Sequence, residues 1–242
     1  MKDLVLTLKK LEDQCLVADI MVSAPSLVCG DDELHAQRLL HERSEFNLIP
    51  IREDGRLVAF VERSDKTVAR STIELHSHII GDRTSVLRLI DILVKREFCF
   101  VVKEDCIAGY VHFSDLNNRL VNLSLFAIVG AYEQALARKL RSNVAKQDYE
   151  RLLEAKQLRR MKRLQESNSD LDWTTSLYFK EVLQLAREQG IHSINDDQIR
   201  LMNDSRNRIC HAPRLLIEKH SDVKQIAQAK KLWLEFLESG LR

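Results

Sequence analysis

The segments EFNLIPIREDGRLVAFVERSD (45–65) and EFCFVVKEDCIAGYVHFSD (97–115) follow one pattern: Glu-Phe, an apolar run, a basic residue with Glu-Asp, a second apolar run, then Ser-Asp. The offset is about 50 residues throughout, the mark of an internal duplication. Each apolar run is short and rich in β-branched residues, and the polar turn between two such runs predicts a hairpin. Helical stretches precede both hairpins, DDELHAQRLLHER (31–43) and TSVLRLIDILVKR (84–96), each opened by an acidic or hydroxyl residue suited to capping. The chain reads as helical again after each Ser-Asp. A helix, strand, strand, helix unit occurring twice predicts two halves packed on each other.

This duplication resembles a tandem pair of CBS domains, the adenine-nucleotide-sensing modules called a Bateman pair. The stretch VADIMVSAPSLVCGDDELHAQRLL (17–40), with Asp19, Ile20, Met21 and Pro25, matches the start of that family. The resemblance implies a nucleotide site in each half, with an Asp at the end of the second strand gripping the ribose: Asp65 in the first half, Asp115 in the second. A carboxylate suits a ribose because it accepts from two vicinal hydroxyls. Ser64, Ser114 and His112 join the implied nucleotide-binding set, and the ligand is AMP, ADP or ATP. The Thr or Ser that the family places three residues before the Asp is Glu62 in one copy and His112 in the other. The glycine opening the strand is Ala59 in the first copy and Gly109 in the second. A carboxylate at Glu62 would repel phosphate, which favours the half-site around Asp115. Helix capping by Asp65 and Asp115, without ligand, is the competing reading and would make the pair a scaffold.

From Leu116 onward strand signals vanish. LNNRLVNLSLFAIVGAYEQALARKLR, DYERLLEAKQLRRMKRLQE, DWTTSLYFKEVLQLAREQG, NDDQIRLMNDSRNRICH and SDVKQIAQAKKLWLEFLE each show helical periodicity. The predicted class is therefore an α+β N-terminal pair of repeats (1–118, repeats at about 15–70 and 75–118) followed by an all-α bundle of about five helices (119–242). No Pro, Gly or Ser-rich spacer separates the two, so a stiff junction is expected. In the fourth helix Ile199, Met202, Ile209 and Leu216 form an apolar stripe in which Arg206 fills a gap, and a charge there calls for a partner. Pro213 lacks an amide proton, so that helix ends or bends near His211.

Arg206 and Asn207 followed by His211, on the fourth helix of a five-helix domain, resemble the HEPN family, many of whose members are metal-independent ribonucleases. Other Arg and His residues stand at comparable spacing (70/76, 187/192, 214/220), but only Arg206 is followed by Asn. The chemistry suits these groups: His exchanges protons near neutral pH and Arg holds phosphate oxygens bidentately. Asn207, four residues before His211, would orient the imidazole or bind phosphate. On an ideal helix residues five apart diverge by roughly 140°, so one chain's Arg206 and His211 are expected to point apart. The resemblance then implies a homodimer sharing a composite cleft. Glu133 is the candidate to answer the Arg206 charge. The competing readings are a noncatalytic regulatory or RNA-binding dimerisation module, and a nucleotidyl-transferring bundle. A defence or toxin role with an antitoxin or regulatory partner is implied by resemblance alone.

Residues 1–118 carry 15 Lys+Arg against 20 Asp+Glu, and 119–242 carry 22 against 16. The basic helical half is thus the better candidate for a polyanion such as RNA. Cysteines 15, 29, 99, 106 and 210 have no CxxC spacing, which predicts free thiols and no zinc site. Catalysis is expected to need no cofactor or metal. The remaining histidines (35, 41, 76, 78, 192, 220) are expected at the surface or in turns. The apolar run LSLFAIVGAY is too short to span a bilayer, and no signal-peptide order is found, so a cytoplasmic protein without membrane contact is expected.

Overall fold

The computed structural model describes residues 10, 13–44, 46–64, 67–104, 106–144, 149–168, 172–211 and 215–239. The chain divides into two compact units, one spanning Glu12–Val121 and one containing Asn122–Arg242.

In the first unit the described elements are β1 (Val22–Ser23), α1 (Glu33–Glu42), β2 (Leu48–Glu53), β3 (Arg56–Ser64), β4 (Thr67–Thr72), α2 (Leu75–His78), β5 (Ile79–Gly81), α3 (Val86–Leu93), β6 (Phe98–Lys103) and β7 (Cys106–His112). The helices start where the sequence places caps. Asp32 accepts from the His35 amide and Ser85 from the Arg88 amide, each satisfying an orphan first-turn donor. The β2–β3 hairpin turns through Asp54 and Gly55, both at positive φ (49° and 77°), the turn that matches strand twist.

Both hairpins keep the same register. Leu48 pairs with Glu62 and Phe98 with His112, and each ladder carries one irregularity, at Ile51/Arg52 and at Val101/Val102. Gly30 makes a parallel bridge to Ile51 where β5 pairs parallel with β6 in the second half. The duplication is thus visible hydrogen bond by hydrogen bond. Sheet order is β1-β7-β6-β5 in one sheet and β2-β3-β4 in the other. The halves share a core in which Leu48, Leu57 and Phe60 of the first meet Phe98 and Phe100 of the second, with Phe60 and Phe98 edge to face at 5.3 Å.

One departure breaks the symmetry. After Ser64 the first half continues into strand β4, antiparallel to β3 from Ser64↔Thr67 to Ala59↔Thr72, and not into the expected helix. TVARST is rich in β-branched residues, which suit a pleated edge better than a helix. The second half does turn helical, through a 3-10 turn at Phe113–Asn117.

The second unit is helical: α4 (Arg119–Asn143), α5 (Tyr149–Leu152), α6 (Ala155–Ser167), α7 (Phe179–Glu188), α8 (Asp196–Cys210) and α9 (His220–Ser239). Five of these have ten or more residues, in line with the five periodic stretches. Two stretches are each broken. The second divides at Leu153–Glu154 into α5 and α6. In the third, Asp172 caps a 3-10 turn at Trp173–Ser176 by accepting from the Thr174 amide, and α7 begins only at Phe179. Leu125, Ile128, Tyr132, Leu136 and Leu140 of α4 are fully buried at three- and four-residue steps. Trp233, also fully buried, and Phe236 of α9 belong to the same unit's core.

The helix α4 is longer than its apolar run suggested. Over an 18-residue stretch its mean hydropathy is 1.4, enough in length and composition to cross a membrane, and half of that stretch is buried inside the protein. That correction concerns length; the buried face belongs to the core.

Candidate nucleotide cavity and Arg–His site

Next to the end of β7 the first unit holds a cavity of about 480 Å³. Three separate segments build it: Val22, Ser26, Leu27 and Val28 around β1; Phe46 to Pro50 entering β2; and Tyr110, His112, Ser114 and Asp115 at the end of β7. The walls are mostly aliphatic and aromatic with a few polar groups, Ser26, Asn47, His112, Ser114 and Asp115, the usual make-up of a small-ligand site of this size. No Lys or Arg is among the described lining residues.

Gly109 lets β1 reach β7. A Cβ there would stand 2.5 Å from the Val22 carbonyl oxygen and 2.8 Å from Met21 Sδ, so no other residue permits this pairing unchanged. Val22 pairs with Tyr110 and Ser23 with Gly109, which fixes one cavity wall.

Asp115 sits in the turn that follows. Its Oδ2 accepts from the His112 amide at 2.7 Å, while His112 Nδ1 and Ser114 Oγ lie 2.8 Å apart. Burial pushes the Asp115 carboxyl above the usual carboxylate range, and the His112 N–H partly offsets this. The bond runs back to the strand end preceding the turn and not forward to the next helix, where Asn118 Oδ1 accepts from the Leu120 amide. It coexists with a place at the cavity edge. Burial also drives the Tyr110 phenol up, assisted by Asp115.

In the first half-site, Asp65 lies outside the described residues, as does the side chain of Ser64. Glu62 is absent from the lining of the Asp115 cavity. Burial raises its carboxyl, the Glu97 charge adds to this, and His78 acts in the opposite sense.

In the helical unit, Arg206 on α8 donates through Nε to Glu133 Oε1 on α4 at 3.0 Å. Its guanidinium carbon lies 5.9 Å from the centre of the Phe179 ring. Its Nη1 stands 3.5 Å from His211 Nε2. The expectation that one chain's Arg and His diverge is therefore corrected. It assumed a helix through residue 211, but α8 ends at Cys210 and His211 has φ −115° and ψ 83°, so its ring returns toward the arginine. Leu216, placed on that helix's stripe by periodicity, lies beyond its end and is still buried. Pro213 lies outside the described residues.

Asn207 meets His211 through the backbone, its carbonyl accepting the His211 amide at 3.1 Å. No side-chain hydrogen bond of Asn207 is found among the described residues. A guanidinium N–H facing an imidazole nitrogen requires that nitrogen's lone pair, so the pairing suits Nε2 as acceptor. Burial holds the neighbouring Cys210 thiol in its neutral form above the ordinary thiol range.

His192 departs from the surface assignment. It occupies a bend, but its ring packs 4.6 Å from that of Phe236, and burial, with the Lys139 charge, lowers it to about 4.

No family model matches this chain, and no curated protein matches it. Among solved structures it is similar to the CBS domain of a bacterial CNNM/CorC family Mg2+ transporter in complex with ATP, at 18% identity over 53% of this chain and 96% of that chain, with a TM-score of 0.36. It is similar also to the same kind of domain in complex with an inhibitor, at 16% identity over 48% of this chain and 82% of that chain, with a TM-score of 0.36. A hemolysin-like protein containing a CBS domain, from Oenococcus oeni, shows 16% identity over 46% of this chain and 93% of that chain, with a TM-score of 0.35.

Proposed function

We propose that the Glu12–Val121 unit binds an adenine nucleotide in the cavity beside Asp115. The carrying observation is the cavity itself, which has mostly apolar lining able to hold a purine and in which Asp115, Ser114 and His112 stand together. The sequence resemblance to tandem CBS domains points the same way. Asp115 would accept the ribose hydroxyls while Oδ2 keeps its bond to the His112 amide. The test is thermal unfolding of the full chain with AMP, ADP or ATP. A ligand of the folded state raises the midpoint in proportion to ln(1 + [L]/Kd), and midpoints that stay put with all three contradict the reading.

For the helical unit we propose metal-independent RNA cleavage, favoured by the approach of Arg206 and His211 within one chain. The 2′-oxygen would attack the adjacent phosphorus as its proton passes to His211 Nε2. The P–O5′ bond breaks, the 5′-oxygen takes a proton from water, the proton held on His211 neutralises the hydroxide this leaves, and a 2′,3′-cyclic phosphate remains. Arg206, held from behind by Glu133, would bind the nonbridging oxygens as charge grows on them. A second copy of the chain would bring a second imidazole for the leaving oxygen, which is the remaining reason for a homodimer. The test is incubation of mixed RNA with the full chain, metal chelated, with and without AMP or ATP. Cyclic-phosphate ends from wild type and not from His211→Ala support cleavage; equal background from both leaves the noncatalytic module.

A further inference from the structure

A second cavity, of about 430 Å³, opens beside Arg206 on the side of Glu133 and Phe179, within the helical unit. Its lining is rich in cations. Arg138 and Arg141 project from α4, one turn apart, and with Arg206 they give the lining three guanidiniums against the single carboxylate of Glu133. Arg141 is held in place: its Nη1 donates to Thr174 Oγ1 at 3.1 Å and its Nε lies 3.3 Å from Asp172 Oδ2. Thr174 is buried and in turn donates to Asp172 Oδ1 at 2.8 Å. Arg138 is exposed and makes no ion pair among the described residues. The lining also has an apolar part, with Leu177, Val182 and the Phe179 ring, whose centre lies 5.9 Å from the Arg206 guanidinium carbon.

A fixed cation, an unpaired cation and an aromatic wall in a space of nucleotide size match how proteins hold a single-stranded nucleotide, phosphate on arginine and base against a ring. We infer that this cavity holds the nucleotide of an RNA strand next to the phosphodiester attended by Arg206 and His211. Arg138 and Arg141 take that nucleotide's phosphate, and Phe179 faces its base. The inference rests on the cleavage reading of the same site and adds to it which way the strand leaves: along α4, toward residue 141.

The experiment uses full-length protein and a short single-stranded RNA whose 2′-oxygens are all methylated, so that it binds but does not react. Arg138→Ala should weaken binding about tenfold and reduce the slope of log K against log salt by about 0.7, the value for one lost single-strand phosphate contact. AMP at the strand's own concentration should not displace it. No binding by wild type, an unchanged Arg138→Ala, or displacement by equimolar AMP would overturn the subsite. Uncleaved natural RNA alongside Arg138-dependent binding would instead remove the cleavage reading and leave a strand-binding cavity.

Discussion

Arg206 Nη1 and His211 Nε2 of a single chain lie 3.5 Å apart because the helix carrying the arginine stops one residue before the histidine. Five residues along a continuous helix would have turned the groups away from each other. The C-terminal break brings them together, and Glu133 on another helix fixes the arginine from the far side.

Arg206→Lys tests that arrangement. A lysine keeps the charge but loses the planar fork that meets Glu133 through Nε and, in the proposed reaction, would hold a phosphate through its other N–H groups. RNA cleavage should fall at least about tenfold, a loss of ~1.4 kcal/mol or more in transition-state binding, while the circular dichroism spectrum stays that of the wild type. Full activity in Arg206→Lys would mean that charge alone suffices.

Gly109→Ala sets a methyl group against the Val22 carbonyl. Overpacking of this kind costs ~1–3 kcal/mol, and since the displaced strand supplies Val22 to the cavity, AMP binding should weaken along with stability. Gly130, on α4, is the counterpart: a Cβ there meets nothing within 4 Å. Gly130→Ala should stabilise the chain by up to ~1 kcal/mol through helix propensity. Denaturant midpoints of the two variants moving in the same direction would contradict the account.

Stability should fall on acidification through His192. Burial, then the Lys139 charge, lowers its folded value to about 4 from an ordinary 6.5. Between these values the unfolded chain binds the proton and the folded chain does not, so the contribution is complete above pH 6.5 and is lost as pH falls toward 4. The gap between melting temperatures at pH 7.5 and pH 5 should narrow in His192→Gln. An unchanged gap would show that the ring titrates as freely folded as unfolded.

The cavity beside Asp115 has a carboxylate at its edge and no Lys or Arg among its described lining residues. Added phosphates therefore gain no cation and meet a like charge. AMP should bind at least as tightly as ATP in calorimetric titrations at equal ionic strength, and a marked preference for ATP would mean that cations outside this lining reach the ligand.

The duplication was legible because both hairpins repeat residue types at one offset, and their registers agree pair for pair. The continuation after Ser64 was not: the matching Ser-Asp suggested a helix, whereas the β-branched run TVARST, read by itself, points to the strand that forms. Arg206 stood out as a charge in an apolar stripe that needs a partner, with Glu133 the candidate, whereas His211 was named through the family resemblance, since the Arg–His spacing alone recurs elsewhere in the chain. Their mutual geometry was not legible, although Pro213 was the signal that helical angles stop applying near residue 211. Ser26, Asn47, Phe46 and Tyr110 of one cavity, and Arg138, Arg141 and Phe179 of the other, escaped notice because each cavity gathers side chains from separate segments. No periodicity along the chain marks such a convergence.

The most direct measurement is calorimetric titration of AMP into the folded full-length chain and into Asp115→Ala, with folding of the variant checked by thermal melt. The account predicts saturable binding to wild type and a loss of about tenfold or more in the variant, the consequence of removing charge-assisted bonds to the ribose. Equal affinity in the two proteins, or no binding of AMP, ADP or ATP to wild type, would contradict it.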